Sequence, residues 1–277
     1  MRKTLDVQKL KRVATNIRRH IVVMSGNANV SHSGSALSTV EILTALYFEV
    51  MRVNPKKPNW EGRDRFILSK GHGGAALYAT LAERGFFSVS RLTQFCMDGS
   101  TFTTHPVKDC VRGVEATTGS LGHGLSMGIG MALAGRHDKK SYRVYVMLSD
   151  GECDEGSTWE GILYAGFHKL DNMVVFVDYN KIQSFGRTKE VLDLEPIADK
   201  LKAFRWCVRE IDGHNFKEIL RSASHAIKHK GKPHAFIAHT IKGKGISYME
   251  DKLEWHYRAP TGDLMRQALD ELSDTTT

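Results

Sequence analysis

The spacing of apolar positions changes period several times along the chain, and each change predicts an element. Tyr142 to Leu148 (YRVYVML) is rich in β-favouring residues, Glu155 to Leu170 has helical content, and Met173 to Asp178 (MVVFVD) is a continuous apolar run. An unbroken apolar run of that length fits a strand covered on both faces. The three segments make a strand–helix–strand unit whose strands run parallel and end side by side. Near the amino terminus, Leu5, Leu10, Val13, Ile17 and Ile21 interleave with Lys3, Lys9, Lys11, Arg12, Arg18 and Arg19, which predicts an amphipathic surface helix. Later, Lys228 to Lys232 reads as a solvated loop between a helix and the strand His234 to His239, and Leu264 to Leu272 as a short polar helix. The alternation of strands and helices places the chain in the α/β class.

Composition narrows this only a little. The 277 residues can bury a substantial core, and no Pro/Gly/Ser-rich linker or internal repeat divides them, so one domain over 1–277 is expected. Lys and Arg exceed Asp and Glu by 39 − 31 = 8, a balance that suits nucleic acid, an anionic membrane or phosphorylated small molecules. Much of the excess falls on the polar face of the first helix, which argues against a nucleic-acid arm. Ile21 to Met24 is too short for a signal-peptide core or a membrane span, so no membrane association and a cytoplasmic location are expected. Cys96, Cys110, Cys153 and Cys207 form no CxxC pair, zinc spacing or dense disulfide framework, and are read as reduced thiols.

The chemistry concentrates at the ends of the two central runs. Ser149-Asp150-Gly151-Glu152 follows the first, and Tyr179-Asn180-Lys181-Ile182 the second. Asp150 and Asn180 are thereby placed at the carboxyl ends of neighbouring strands, where open α/β sheets bind ligands. One carboxylate, one amide oxygen and one backbone carbonyl suffice for Mg²⁺ that shares the rest of its shell with phosphates. Gly151 would let the backbone N–H approach such a phosphate. Taken alone, the same residues suit an ordinary strand-end turn equally well. Five histidines, His32, His72, His105, His123 and His256, fall in loops expected at the same edge, where imidazoles can bind hydroxyls and move protons.

The spacing from Asp150-Gly151 to Asn180 resembles the thiamine-diphosphate motif of transketolases and their relatives, with Ser149 in place of the motif's first glycine. Further segments resemble that family in its own order. These are Ser31-His32-Ser33-Gly34, the highly specific DRFILSKGHG of Asp64 to Gly73, Thr104-His105-Pro106, Thr117 to Gly124 (TTGSLGHG), Glu155-Gly156, Ile211 to His214 (IDGH) and Trp255-His256. Ser120 and His123 replace the proline and glutamine of the family's pattern. The resemblance implies a thiamine-diphosphate-binding fold, a mostly parallel sheet with helices on both faces. It also implies roles. Asp150 and Asn180 would hold Mg²⁺ (or Ca²⁺ or Mn²⁺) through side chains, and Ile182 through its carbonyl. His72, Gly119, Ser120, Leu121, Gly151, Glu152, Asn180 and Ile182 would contact the cofactor. His32, His105 and His256 would touch sugar hydroxyls and assist proton transfer, and Glu155 would face a partner subunit.

The same resemblance implies a transketolase that moves a two-carbon ketol unit from a ketose phosphate to an aldose phosphate. In that family an activating glutamate lies on a second, pyrimidine-binding domain. After Trp255-His256 too little sequence remains for one. The expectation is therefore a C-terminal partner subunit carrying that domain, in a heterotetramer. Two other readings stand beside it: the diphosphate-binding subunit of a 2-oxo-acid dehydrogenase, and a noncatalytic subunit that only binds the cofactor.

Overall fold

The computed structural model describes residues 6–274, so Lys3 and Leu5 of the first amphipathic pattern lie outside the described residues. Asp6 starts α1 (Val7–Ala28) by accepting a hydrogen bond from the Lys9 backbone N–H, and Asn29, in the left-handed conformation, ends it. Two short helices follow, α2 (Ser33–Leu37) and α3 (Val40–Ala45), the second extended by a wider turn over Leu46–Val50. Then come β1 (Arg65–Leu68), α4 (Gly74–Arg84), α5 (Gly124–His137), β2 (Val144–Ser149), α6 (Gly156–Phe167) and β3 (Met173–Tyr179). The chain finishes with α7 (Thr188–Val191), α8 (Ile197–Ala203), β4 (Cys207–Asp212), α9 (Phe216–Lys228), β5 (His234–His239) and α10 (Asp263–Asp274). The strand–helix–strand unit and the final strand fall where the apolar periods place them.

All five strands are parallel, in the order β1-β2-β3-β5-β4. Ser149 pairs with Asp178, which sets the two predicted turns side by side at the carboxyl edge. Strand side chains alternate between the faces, and this divides the interior into two cores. Tyr145, Met147, Val174, Phe176 and Phe236 pack with α1, α3, α4 and α9 on one face. Val144, Val146, Val175, Val177 and Ile237 pack with α5, α6 and α8 on the other. The predicted parallel sheet with helices on both faces is thus the observed one.

α1 departs from a simple surface helix. Lys9, Lys11 and Arg12 are exposed, but Arg18 is buried. Arg18 Nη2 donates to both Glu41 oxygens (2.6 and 2.8 Å) and Nε donates to the Lys244 carbonyl (2.9 Å). Its position, four residues after Ala14 and three or four before Ile21 and Val22, lies on the apolar stripe. The cation therefore enters the interior with its counter-ion already built in.

Candidate active site

At the carboxyl edge a cavity of about 200 Å³ opens between the turn after β1, the ends of β2 and β3, and the segment after β5. His32, His72, His105, Gly119, Leu121, Asp150, Gly151, Asn180, Ile182 and His256 all line it. Four imidazoles converge there although their positions in the chain are far apart. The His32 ring centroid lies 5.4 Å from His72, 6.1 Å from His105 and 5.0 Å from His256. Backbone geometry enforces this: His32 takes a left-handed φ of 74°, and its N–H donates to the His256 carbonyl (3.1 Å). At Gly71 a Cβ would stand 2.7 Å from the Gly119 nitrogen, so the turn carrying His72 and the loop carrying Gly119 touch only because no side chain separates them.

These histidines are held neutral. Burial, with the like-charged His105 beside it, lowers His32 to about 4. Burial and the Lys242 ammonium lower His256 to about 3. Burial also lowers His72 well below the ordinary histidine value, and lowers His105. Near neutral pH each ring therefore offers one donor and one acceptor. Lys242 Nζ donates to His256 Nδ1 (2.9 Å) and to the Ile182 carbonyl (2.9 Å). An acceptor at Nδ1 leaves the His256 proton on Nε2. His32 Nδ1 is buried with no hydrogen-bond partner among the described residues, an orphaned polar atom at the cavity.

Beneath the cavity lies an ionic hub centred on Asp178, which no sequence motif marked. Asp178, fully buried in β3, accepts from Lys70 Nζ (2.5 Å), Ser38 Oγ (2.7 Å), Thr240 Oγ1 (2.5 Å) and Asn180 Nδ2 (3.1 Å). Burial pushes its carboxyl upward, but Lys70 and these hydrogen bonds outweigh that and hold it below the ordinary value. The hub ties the end of α2, the turn after β1, β3 and the end of β5 into one floor. Lys70 stands inside the DRFILSKGHG run, where only its neighbours were given roles. Lys242 has no motif signal at all, since only the return of the chain after β5 brings it to His256.

The oxygens on the floor fit a hard cation. Asp150, Asn180 and Ile182 share the cavity, and burial together with the Asp178 carboxylate raises the Asp150 pKa. A raised carboxyl of this kind signals negative charge short of a counter-ion. Two backbone N–H groups already orient Asp150, from Gly151 (2.8 Å) and Lys181 (2.5 Å), and the Ile182 N–H orients the Asn180 amide oxygen (3.1 Å). At the rim, Gln183 and Ser184 line the opening; Tyr257 donates to the Ser184 carbonyl (2.9 Å), and Arg187 pairs with Asp251 (2.6 Å).

Other predicted site residues sit outside the cavity. Ser120 is exposed beside it. Glu152 is buried beneath the β2 turn, accepting from Ser69 Oγ and from the backbone N–H of Gly122 (3.0 Å) and Ser149 (3.4 Å), so it braces the turn. His123 begins α5 on the surface, its Nδ1 at 2.9 Å from the Leu121 carbonyl oxygen. Glu155 is exposed at the start of α6.

A parallel sheet with helices on both faces, carrying hard oxygens and neutral imidazoles at its carboxyl edge, has its ligand site where open α/β sheets bind their ligands. Residues 10–271 match the family described as "Transketolase, thiamine diphosphate binding domain", and the chain belongs to the transketolase family. It is 43% identical over 263 residues to the 6-deoxy-6-sulfo-D-fructose transketolase subunit SqwG of Clostridium sp. (strain MSTE9), covering 95% of this chain and 96% of that protein. It is 42% identical over 270 residues to an apulose-4-phosphate transketolase subunit of Phocaeicola vulgatus, covering 98% and 96%. The solved transketolase of Campylobacter jejuni superposes with a TM-score of 0.91 at 29% identity, covering 97% of this chain. This chain spans only 43% of that structure's length, and 42% of human transketolase, to which it is 36% identical.

Proposed function

We propose that this chain is the diphosphate-binding subunit of a two-chain transketolase, working with Mg²⁺ and with a partner subunit that carries the pyrimidine-binding domain. The observation that carries this reading is the meeting of four neutral imidazoles and three hard oxygens in one cavity. When bound, thiamine diphosphate supplies the electron sink for breaking and remaking a carbon–carbon bond of a ketose. Asp150, Asn180 and the Ile182 carbonyl hold the metal, and Gly151 and Leu121 present backbone to the diphosphate. His256, with its proton fixed on Nε2 by Lys242, donates to a sugar hydroxyl; His32 and His105 donate or accept as neutral rings.

Uncovered apolar side chains support the partner. Phe185, next to Ser184 at the rim, is 80% exposed, and Leu163 and Phe167 on α6 are 54% and 64% exposed. Glu155 precedes the same helix and would join that contact, in a heterotetramer. The relatives' names specify 6-deoxy-6-sulfo-D-fructose and apulose-4-phosphate, and both sugars carry an acidic group. We read an anionic sugar here too, which the basic balance of the chain favours. Four free thiols favour the cytoplasm.

Calorimetry and kinetics on the chain assembled with its partner test this. Asp150→Ala and Asn180→Ala are expected to abolish Mg²⁺-dependent binding of thiamine diphosphate. His256→Ala retains that binding and loses ~10²–10⁴-fold in ketol transfer. Unchanged cofactor affinity in both metal-site variants, or full ketol transfer by this chain without a partner, overturns the reading.

A further inference from the structure

At the opposite end of the sheet, remote from the cavity, a second group of ligating side chains meets. Cys207 opens β4 and His234 opens β5, and the two are register partners in the parallel ladder. His225, from the last turn of α9, leans over them, its Nε2 3.9 Å from Cys207 Sγ. One ligand atom from each of the three residues lies within 4.8 Å of the others. Among the described residues this is the one such cluster of three or more His, Cys, Asp or Glu side chains. His234 is 1% exposed, and its Nδ1 has no hydrogen-bond partner among the described residues. A buried ring nitrogen without a partner loses its hydration and gains nothing in exchange. Sequence spacing hides the group, because residues 207, 225 and 234 follow no linear zinc pattern and only the β4–β5 pairing joins them.

We propose that Cys207, His225 and His234 form a binding site for a divalent cation of the zinc class. A thiolate with two imidazoles is the ligand set such borderline cations prefer, whereas Mg²⁺ takes oxygen ligands. Tetrahedral bonds of about 2.3 Å to sulfur and 2.0–2.1 Å to nitrogen set the ligand atoms roughly 3.3–3.6 Å apart, so contraction of about 1 Å closes the site. Water takes the fourth position. On binding, the Cys207 thiol releases its proton to solvent and forms the sulfur–metal bond. Burial lowers the pKa of both histidines, and Arg209 lowers His225 further. Arg209 is the group that opposes the cation. Its Nη2 donates to His225 (3.0 Å to Nδ1), and being exposed it can swing to solvent. The His229 ring stacks on His225 at 3.6 Å and limits that ring's rotation. Occupancy would clip α9 to the edge strand β4 and to β5, at the opposite end of the sheet from the chemistry at the carboxyl edge.

Co²⁺, a spectroscopically visible substitute for zinc, provides the test on the full chain. One equivalent is expected to give thiolate-to-cobalt charge-transfer absorption, which Zn²⁺ removes by displacement. Cys207→Ser abolishes the band, His225→Gln weakens Co²⁺ binding by roughly tenfold or more, and Asp150→Ala leaves the band unchanged. No band in the unaltered chain, a band that survives Cys207→Ser, or unchanged affinity in His225→Gln overturns the site.

Discussion

Glu41 shows how a single side chain can hold two layers together. It is buried, with Arg18 Nη2 2.6 and 2.8 Å from its two oxygens and His214 Nδ1 2.9 Å from one of them. Burial raises its pKa, but Arg18 and His214 outweigh burial and bring it from 4.5 to about 2. A folded pKa below the unfolded one gives stability that is complete above pH 4.5 and is lost as pH falls toward 2. Glu41→Gln is therefore expected to cost about 3 kcal/mol at pH 7, because it strands Arg18 in the interior. The same change costs less at pH 3. Urea unfolding at the two pH values decides, and an equal cost at both would remove the ionic account. The sequence contained the signal for this pair, since Arg18 falls on the apolar stripe of its helix. It did not contain the signal for Lys242 or Asp178, whose roles rest mainly on contacts across 14 to 140 positions.

At the scale of elements, legibility follows burial. β2, β3 and β5 are central and covered on both faces, so their apolar runs announce them. β4 (CVREID) is one of the two edge strands, half solvated, and its mixed pattern gave no strand signal. Helices α2 and α3, of five and six residues, fall short of two helical periods, and α2 consists mainly of small residues. Glycines inside helices separate packing from propensity. A Cβ at Gly166 of α6 would stand 1.8 Å from the Phe204 carbonyl oxygen, just past α8. At Gly130 of α5 it would meet nothing within 4 Å. Gly166→Ala should destabilise by about 2–3 kcal/mol through forced separation of α6 from the α8 end. Gly130→Ala should stabilise by ~0.5–1 kcal/mol through reduced unfolded-state freedom. Thermal unfolding of both variants tests the contrast, and similar shifts in one direction would contradict the packing shown at Gly166.

Across the whole molecule, the cavity draws on residues from His32 to His256, so it exists only when both helical layers and the sheet are in place. Its motifs were legible because they sit in loops with fixed short patterns; their convergence was legible only through the family resemblance. Floor and rim differ in one physical respect. The Lys70–Asp178 pair has no solvent exposure on either side chain, while Arg187 and Asp251 are 45% and 57% exposed. Dissolved ions screen exposed charges over about 8 Å at 0.15 M and about 3 Å at 1 M, and leave buried pairs largely untouched. Raising ionic strength should therefore loosen the segment from Lys181 to Lys189 at the mouth while the floor stays rigid. Trypsin is expected to cleave after Lys181, Arg187 or Lys189 faster in 1 M salt, with Lys70 protected throughout; equal rates at both salt concentrations would refute this. The mouth would then respond to its ionic surroundings independently of the machinery it covers.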